Sequence, residues 1–439
     1  MKKLVLVALN ELNFDVVRRY TQFLELPNFG KLLARHNITT RSESHYEQLE
    51  PWIQWVSVHS GMTADQHGIF RLGDIVGSDV PQIFEQLEKQ GISVGSVCAM
   101  NAENRLADPA YFVPDPWTRT PSDGSWWSRA LGEAVSQAVN DNAHGRISGK
   151  SLLHLVLGLM RFANPRRYLT YLRLALRSRG APWRKALFLD LFLHDLHRSL
   201  HGSRQPQFST VFFNAGAHIQ HHYFFNARGN PGANLANPAW YVDSNADPMG
   251  EMLEVYDLIL GDYLSRGDAD LIVATGLTQR PYDRIKHYYR LRDHADFLRQ
   301  VGIGFLDIAP RMTRDFLVGF ADAQAADDAR VVLAAITVGE KCLPLFGEIE
   351  VRGRELFVTL TYPEEIGPST MAAVSGRAFA LAPHVAFVAI KNGMHDATGY
   401  AFFSGRVAAN APVDGCHVAS LHGTIRDFFL APDAPASIP

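Results

Sequence analysis

A chain of 439 residues that is 47% hydrophobic and 20% charged has an ordinary globular composition, long enough for two or three domains or for one large α/β domain with insertions. Its formal net charge of -3 supplies no global field for nucleic acid. Cys98, Cys342 and Cys416 are far apart without CxxC spacing, which excludes a disulfide framework or a thiolate zinc site and points to a reducing compartment.

The opening MKKLVLVALNELNFD carries two lysines and an apolar run, but Leu4–Leu9 is too short for a signal-peptide core and ends at Asn10-Glu11 without a small-residue cleavage site. It reads as a first buried strand, and the expected location is cytoplasmic. Asn13 is placed to cap the following helix, FDVVRRYTQFLEL, which leaves Glu11 free for chemistry. The stretch YEQLEPWIQWVSVHSGMTADQHGIFRLGD sets Trp52 and Trp55 among Glu50, Gln54, Ser57, His59 and Ser60. A serine there could act as nucleophile with His59 as base, or the segment could be a Trp-anchored lead into a helix.

A helical pattern, VPQIFEQLEKQGI, precedes a second apolar run, Ser93–Ala99. Residues 150–204 then read as amphipathic helices, with ten Lys or Arg from Arg161 to Arg204 against Asp190 and Asp195. They form either a helical insert with a solvated basic face or a surface for anionic lipid head groups or a polyanionic substrate. Thr210–Asn214 is a third strand, running into NAGAHIQHHYFF with Asn214 four residues before His218. Leu271–Thr275 is a fourth, leading to Thr278 and Gln279. Residues 283–382 break the rhythm with a strand-like VVLAAIT and a hairpin in GEIEVRGRELFVTLTY turning near Arg352-Gly353, a cap between core strands. Val385–Ile390 reads as a fifth buried strand, followed by Lys391 and by His395 in KNGMHDATGYAFFSG.

Strands alternating with helices predict an α/β fold with a mostly parallel sheet covered on both faces. Its core is discontinuous (1–149, 205–282, 383–439), with 150–204 and 283–382 as inserts. In such sheets the loops at the carboxyl ends of strands form the ligand crevice. That rule selects Asn10-Glu11, Asn214–His222, Gly276–Gln279 and Lys391–Asp396. His218 and His395 are the expected metal ligands, with Asn214 as a weak oxygen ligand. Glu11, Glu50, Gln54 and His222 are the catalytic candidates, and Asn10, Trp52, Thr278, Gln279 and Lys391 the substrate-binding ones. There is no P-loop and no GxGxxG, so no nucleotide cofactor is indicated. No run approaches the roughly 20 apolar residues that span a bilayer.

The order of these pieces resembles the alkaline phosphatase superfamily, in particular its type I phosphodiesterase/nucleotide pyrophosphatase branch. LVLVALNELNFD resembles the family's first strand, LPNFGKLL its next helix, PWIQWVSVHSGMTADQHGIF its nucleophile segment, NAGAHIQHHYF its Asp-x-x-x-His metal motif and MHDATGYAFFSG its late histidine segment. The resemblance implies an alkaline-phosphatase-like sheet and a hydrolase or transferase of phosphorylated substrates. The departures are specific. Asn10 or Glu11 replaces the first-strand Asp, Pro51 or Trp52 falls where a hydroxyl is expected, Asn214 replaces the motif Asp, and TGLTQ replaces a Ser-Asp-His-Gly segment. Two-metal chemistry with a Thr or Ser nucleophile is therefore not expected. Two readings remain: an enzyme with altered chemistry and one zinc or manganese ion, acting on an anionic substrate that is glycan- or lipid-linked, or a silent relative that binds a phosphorylated glycan or a partner protein.

Overall fold

The computed structural model describes residues 2–140, 147–228, 235–265, 267–310 and 314–430. The chain divides into two units, Met1–Pro281 with Gly393–Pro439, and Tyr282–Asn392.

The first unit is built on an eight-stranded sheet. Its strands are β1 (Leu4–Leu9), β2 (His36–Arg41), β3 (Val94–Val97), β4 (Tyr111–Val113), β5 (Phe208–Phe213) and β6 (Asp270–Ala274). After β7 (Thr278–Leu291) and β8 (Val385–Asp396), which pair only with each other, come β9 (Thr398–Ser404) and β10 (Cys416–His417), giving the order β10-β2-β9-β6-β1-β5-β3-β4. The six residues of β1 are all buried, as an uninterrupted apolar run requires when neighbours lie on both sides. β1 runs parallel to β5 and to β6, with Leu9 opposite Phe213 and Ala8 opposite Ala274. This register brings the carboxyl ends of three strands level, so Asn10, Asn214 and Thr275 emerge side by side. β9 is antiparallel to β6, with Ala401 opposite Ala274, so its amino end reaches the same edge from the other direction. His395 arrives there at the end of β8.

The helices that matter below are α1 (Phe14–Tyr20), α2 (Pro51–Ser60), α3 (Gly149–Phe162), α4 (Tyr168–Leu176), α5 (Trp183–Arg204), α6 (Ala215–Tyr223) and α7 (Pro248–Leu264). Asn13 caps α1, its side chain accepting from the Asp15 and Val16 amides. Residues 150–204 are helical for most of their length.

Two expected strands differ in the structure. Val385–Ile390 is not a core strand: it opens β8, which pairs with β7 in a two-stranded ribbon. The central strand is β9, where Tyr400 and Phe402 pack on Phe14. VVLAAIT is mostly helical, because Asp322 caps the Ala-rich helix Ala323–Ala334 and only Thr337–Val338 remains extended.

The second unit, which contains the expected 283–382 cap, has its own core around Phe297, Phe316, Leu333 and Leu356. One antiparallel sheet runs in the order Glu348–Arg352, Glu355–Thr359, Asp315–Gly319, Asp307–Pro310. The first two strands form the expected hairpin, with Arg352 opposite Glu355 and Gly353 at φ 64°.

Candidate metal centre

Glu11 follows β1 directly and adopts a left-handed backbone, φ 59°, which costs a non-glycine residue about 1–3 kcal/mol. Flanking hydrogen bonds hold the bend. The Asn10 amide donates to the Phe213 carbonyl, the Glu11 amide to the Thr275 carbonyl, and Gln220 Nε2 to the Glu11 carbonyl. Because it is held there, the Glu11 carboxylate turns into the crevice. Asn10 Nδ2 donates to Glu11 Oε1 and to Asn214 Oδ1, while Asn10 Oδ1 accepts from Trp55 Nε1 at 2.8 Å. Gln279 Nε2 donates to Glu11 Oε2.

Two imidazoles complete the arrangement. Glu11 Oε2 lies 3.2 Å from His221 Nε2 and 3.2 Å from His395 Nε2, and the two nitrogens are 3.3 Å apart. His221 Nδ1 is 3.1 Å from the Gly393 carbonyl, which can only accept, so the Nδ1–H donates there and Nε2 faces Glu11. His395 Nδ1 faces Glu50 Oε2 at 3.6 Å, which biases that ring the same way. Burial alone would raise the Glu11 carboxyl. The charges and hydrogen bonds of His395 and His221 outweigh it and hold the carboxyl well below the usual carboxylate range.

This donor set fits a divalent cation. A tetrahedron of metal–ligand bonds about 2.0–2.1 Å long has edges of about 3.3–3.4 Å, close to the three separations here. Two histidines and one glutamate, leaving one position open, are a recurrent composition for catalytic zinc. Manganese prefers a richer oxygen set. Among the described residues this is the one His/Cys/Asp/Glu group with converging ligand atoms.

The structure redistributes the expected residues. Glu11, His395, Asn10 and Gln279 are at the triad, and Glu50 borders it. His218 and Asn214 are not members of the triad: the His218 ring packs on His222 at 4.8 Å, and the Asn214 side-chain oxygen accepts from Asn10. The third member of the triad is His221. Asn214 immediately precedes α6, and seven residues on, at two turns, His221 returns to the same side, whereas His218 and His222 share a neighbouring face. Trp52 donates instead to the Phe70 carbonyl, and Trp55 takes the place at the site. Gln54 donates to the Gln48 carbonyl and Thr278 to the Thr398 carbonyl. Lys391 lies in the second unit, over the Tyr288 ring.

Ser57 and His59 do not pair with each other. Ser57 is buried and pairs with His67 and the Ile53 carbonyl, while His59 is buried against Phe84 and Trp55. The start of α6 is closed to anions as well. Asp190 accepts from the Asn214 and Ala215 amides and from Tyr256, whose hydroxyl oxygen accepts from the Gly216 amide. A cleft of about 460 Å³ includes no triad residue; within it Arg184 pairs with Glu251 and Arg228 with Asp247.

No family model and no curated protein matches the chain. Among solved structures it is similar to phosphonoacetate hydrolase from Sinorhizobium meliloti 1021 in complex with phosphonoformate, at 12% identity and TM-score 0.44 over 97% of this chain and 96% of that one. It is also similar to murine ectonucleotide pyrophosphatase/phosphodiesterase 5 (10% identity, TM-score 0.41, 99% and 96% covered) and to alkaline phosphatase from the Antarctic bacterium TAB5 (10%, 0.40, 97% and 97%).

Proposed function

We propose that the protein is a divergent phosphoesterase-superfamily hydrolase or transferase that holds one divalent cation on Glu11, His221 and His395. The observation that carries the reading is the near-equilateral triangle of two imidazole nitrogens and a carboxylate oxygen, with sides of 3.2, 3.2 and 3.3 Å. The order of sequence motifs supports a phosphorylated substrate, and the basic residues of 150–204 support an anionic one that is glycan- or lipid-linked. Zinc suits the donors best.

A cation held there supplies positive charge against the negative charge that develops on a phosphoryl oxygen. The rest falls to the chain's own residues. Asn10 and Gln279 fix both Glu11 oxygens, and the Gly393 carbonyl fixes the His221 tautomer. Glu50, partly open at the start of α2 and beside His395, is placed to take a proton from an attacking water or acceptor hydroxyl. Pro51 and Trp52 offer no hydroxyl at that helix start, so displacement in a single step is expected, with inversion at phosphorus.

Elemental analysis of the purified protein beside Glu11→Gln, with turnover of chromogenic phosphomonoesters and phosphodiesters, tests this. About one zinc per chain, lost in the variant together with turnover, is the expected result. No metal in either sample overturns the metal reading. Metal without turnover would favour the silent relative that binds a phosphorylated glycan or a partner protein.

A further inference from the structure

We propose that α3 and α4 form a docking surface for an anionic lipid bilayer, lying on the interface without crossing it. α3 exposes Leu152, Leu153, Val156 and Met160, and α4 exposes Tyr168, Leu169, Leu172 and Leu176. Both sets follow the spacing i, i+1, i+4, i+8, which puts four apolar side chains on one face of each helix. Leu169 is 78% exposed and Met160 72%, values that no core position approaches.

The opposite faces are committed to the fold. Ser151, Gly158 and Phe162 are buried on α3, and Tyr171 and Leu174 on α4. A Cβ on Gly158 would stand 2.6 Å from Leu131 and 2.9 Å from Phe192, so α3 is pressed close to α5 there. Tyr171 donates to the Leu191 carbonyl and to Asp195, both on α5. With both helices seated on α5 by their buried faces, their apolar faces point away from it.

Charge selects the occupant. From Ile147 to Leu189 the chain carries nine Lys or Arg and no Asp or Glu. Lys150 pairs with Glu133, Arg167 with Asp195 and Asp262, and Arg184 with Glu251. The other six, Arg161, Arg166, Arg173, Arg177, Arg179 and Lys185, form no ion pair among the described residues. A two-fold contact with a second copy would set this basic belt against itself. A leaflet of anionic lipid accepts both features, phosphates at the guanidinium level and acyl boundary around the leucines. Helices of 14 and 9 residues are too short to span, and among the described residues no helix is long and apolar enough to cross a membrane.

Co-sedimentation of the full chain with vesicles of phosphatidylcholine, alone or mixed with phosphatidylglycerol, tests the surface. Binding is expected to the mixed vesicles only, weakening as salt rises. Arg173→Glu/Arg177→Glu should weaken it by about tenfold or more. Leu169→Glu/Leu172→Glu should weaken it as well, with the circular dichroism spectrum and unfolding midpoint of each exposed-residue variant unchanged. No binding to mixed vesicles, or binding indifferent to both variants, overturns the proposal. So does a dimer in sedimentation velocity that Leu169→Glu/Leu172→Glu dissociates while vesicles go unbound, which would make the face a contact between copies.

Discussion

Two clusters of histidine lie at opposite ends of the same strands, and their partners differ. At the amino end of β5, His197 meets the Tyr263 hydroxyl at 2.9 Å and Ser209 Oγ at 3.2 Å, and His201 meets Ser209 Oγ at 3.0 Å. At the carboxyl end, His221 and His395 meet a carboxylate and each other. A hydroxyl both donates and accepts, so it satisfies a neutral imidazole in either tautomer. A buried carboxylate needs positive charge close by, from a protonated imidazole or a cation. The chemistry of the partner, rather than the number of histidines, separates a structural cluster from a ligand set.

Replacing His221 breaks the comparison most sharply. His221→Ala should lose the bound cation by more than the 10- to 100-fold that an outer-sphere change costs, whereas His218→Ala should retain it, both read by zinc titration. Equal loss in the two variants would return His218 to the ligand set. At the other end, Ser209→Ala should leave metal content unchanged and lower stability by about 1–3 kcal/mol for the buried imidazoles that lose their hydroxyl, measured by urea unfolding.

The smallest effect concerns a third histidine, His59. Burial, with the charge of His422 adding, pushes its imidazole from 6.5 down to about 3. The unfolded chain binds that proton first, so this contribution to stability is present above about pH 6.5 and is lost as pH falls towards 3. Asp190 works in the opposite sense at the acid end, because burial pushes its carboxyl up to about 6 despite three hydrogen bonds. His59→Phe should therefore lose roughly 2 kcal/mol less than wild type between about pH 7 and pH 5. Equal acid sensitivity in both proteins would place the titrating group elsewhere.

Apolar runs made much of the sheet legible. β1, β3, β5 and β6 are short and buried on both faces, and the loops after them do meet. Glu11 follows from that rule, whereas His395 is reached through Val385–Ile390, a run that lies outside the central sheet. His221 is hidden in the sequence because a four-residue spacing from Asn214 points to His218, and only the folded helix shows that the two-turn step is the one that reaches Glu11. Val385–Ile390 and β9 are both apolar, and their roles depend on pairing partners that local composition does not encode. Trp52 and Trp55 lie three residues apart on α2, and only the reach of Asn10 distinguishes them.

Asp190 has a geometric consequence. It sits on α5, the helix on which α3 and α4 are seated, and its carboxylate clamps the first amides of the helix that carries His221. The outward leucines and His221 are thus joined through α5, as on a lever. Laid on a bilayer, that lever would hold the triad at a constant height and tilt, like a cutting edge set to one depth, so reach from the membrane plane would help decide which phosphate is presented to it.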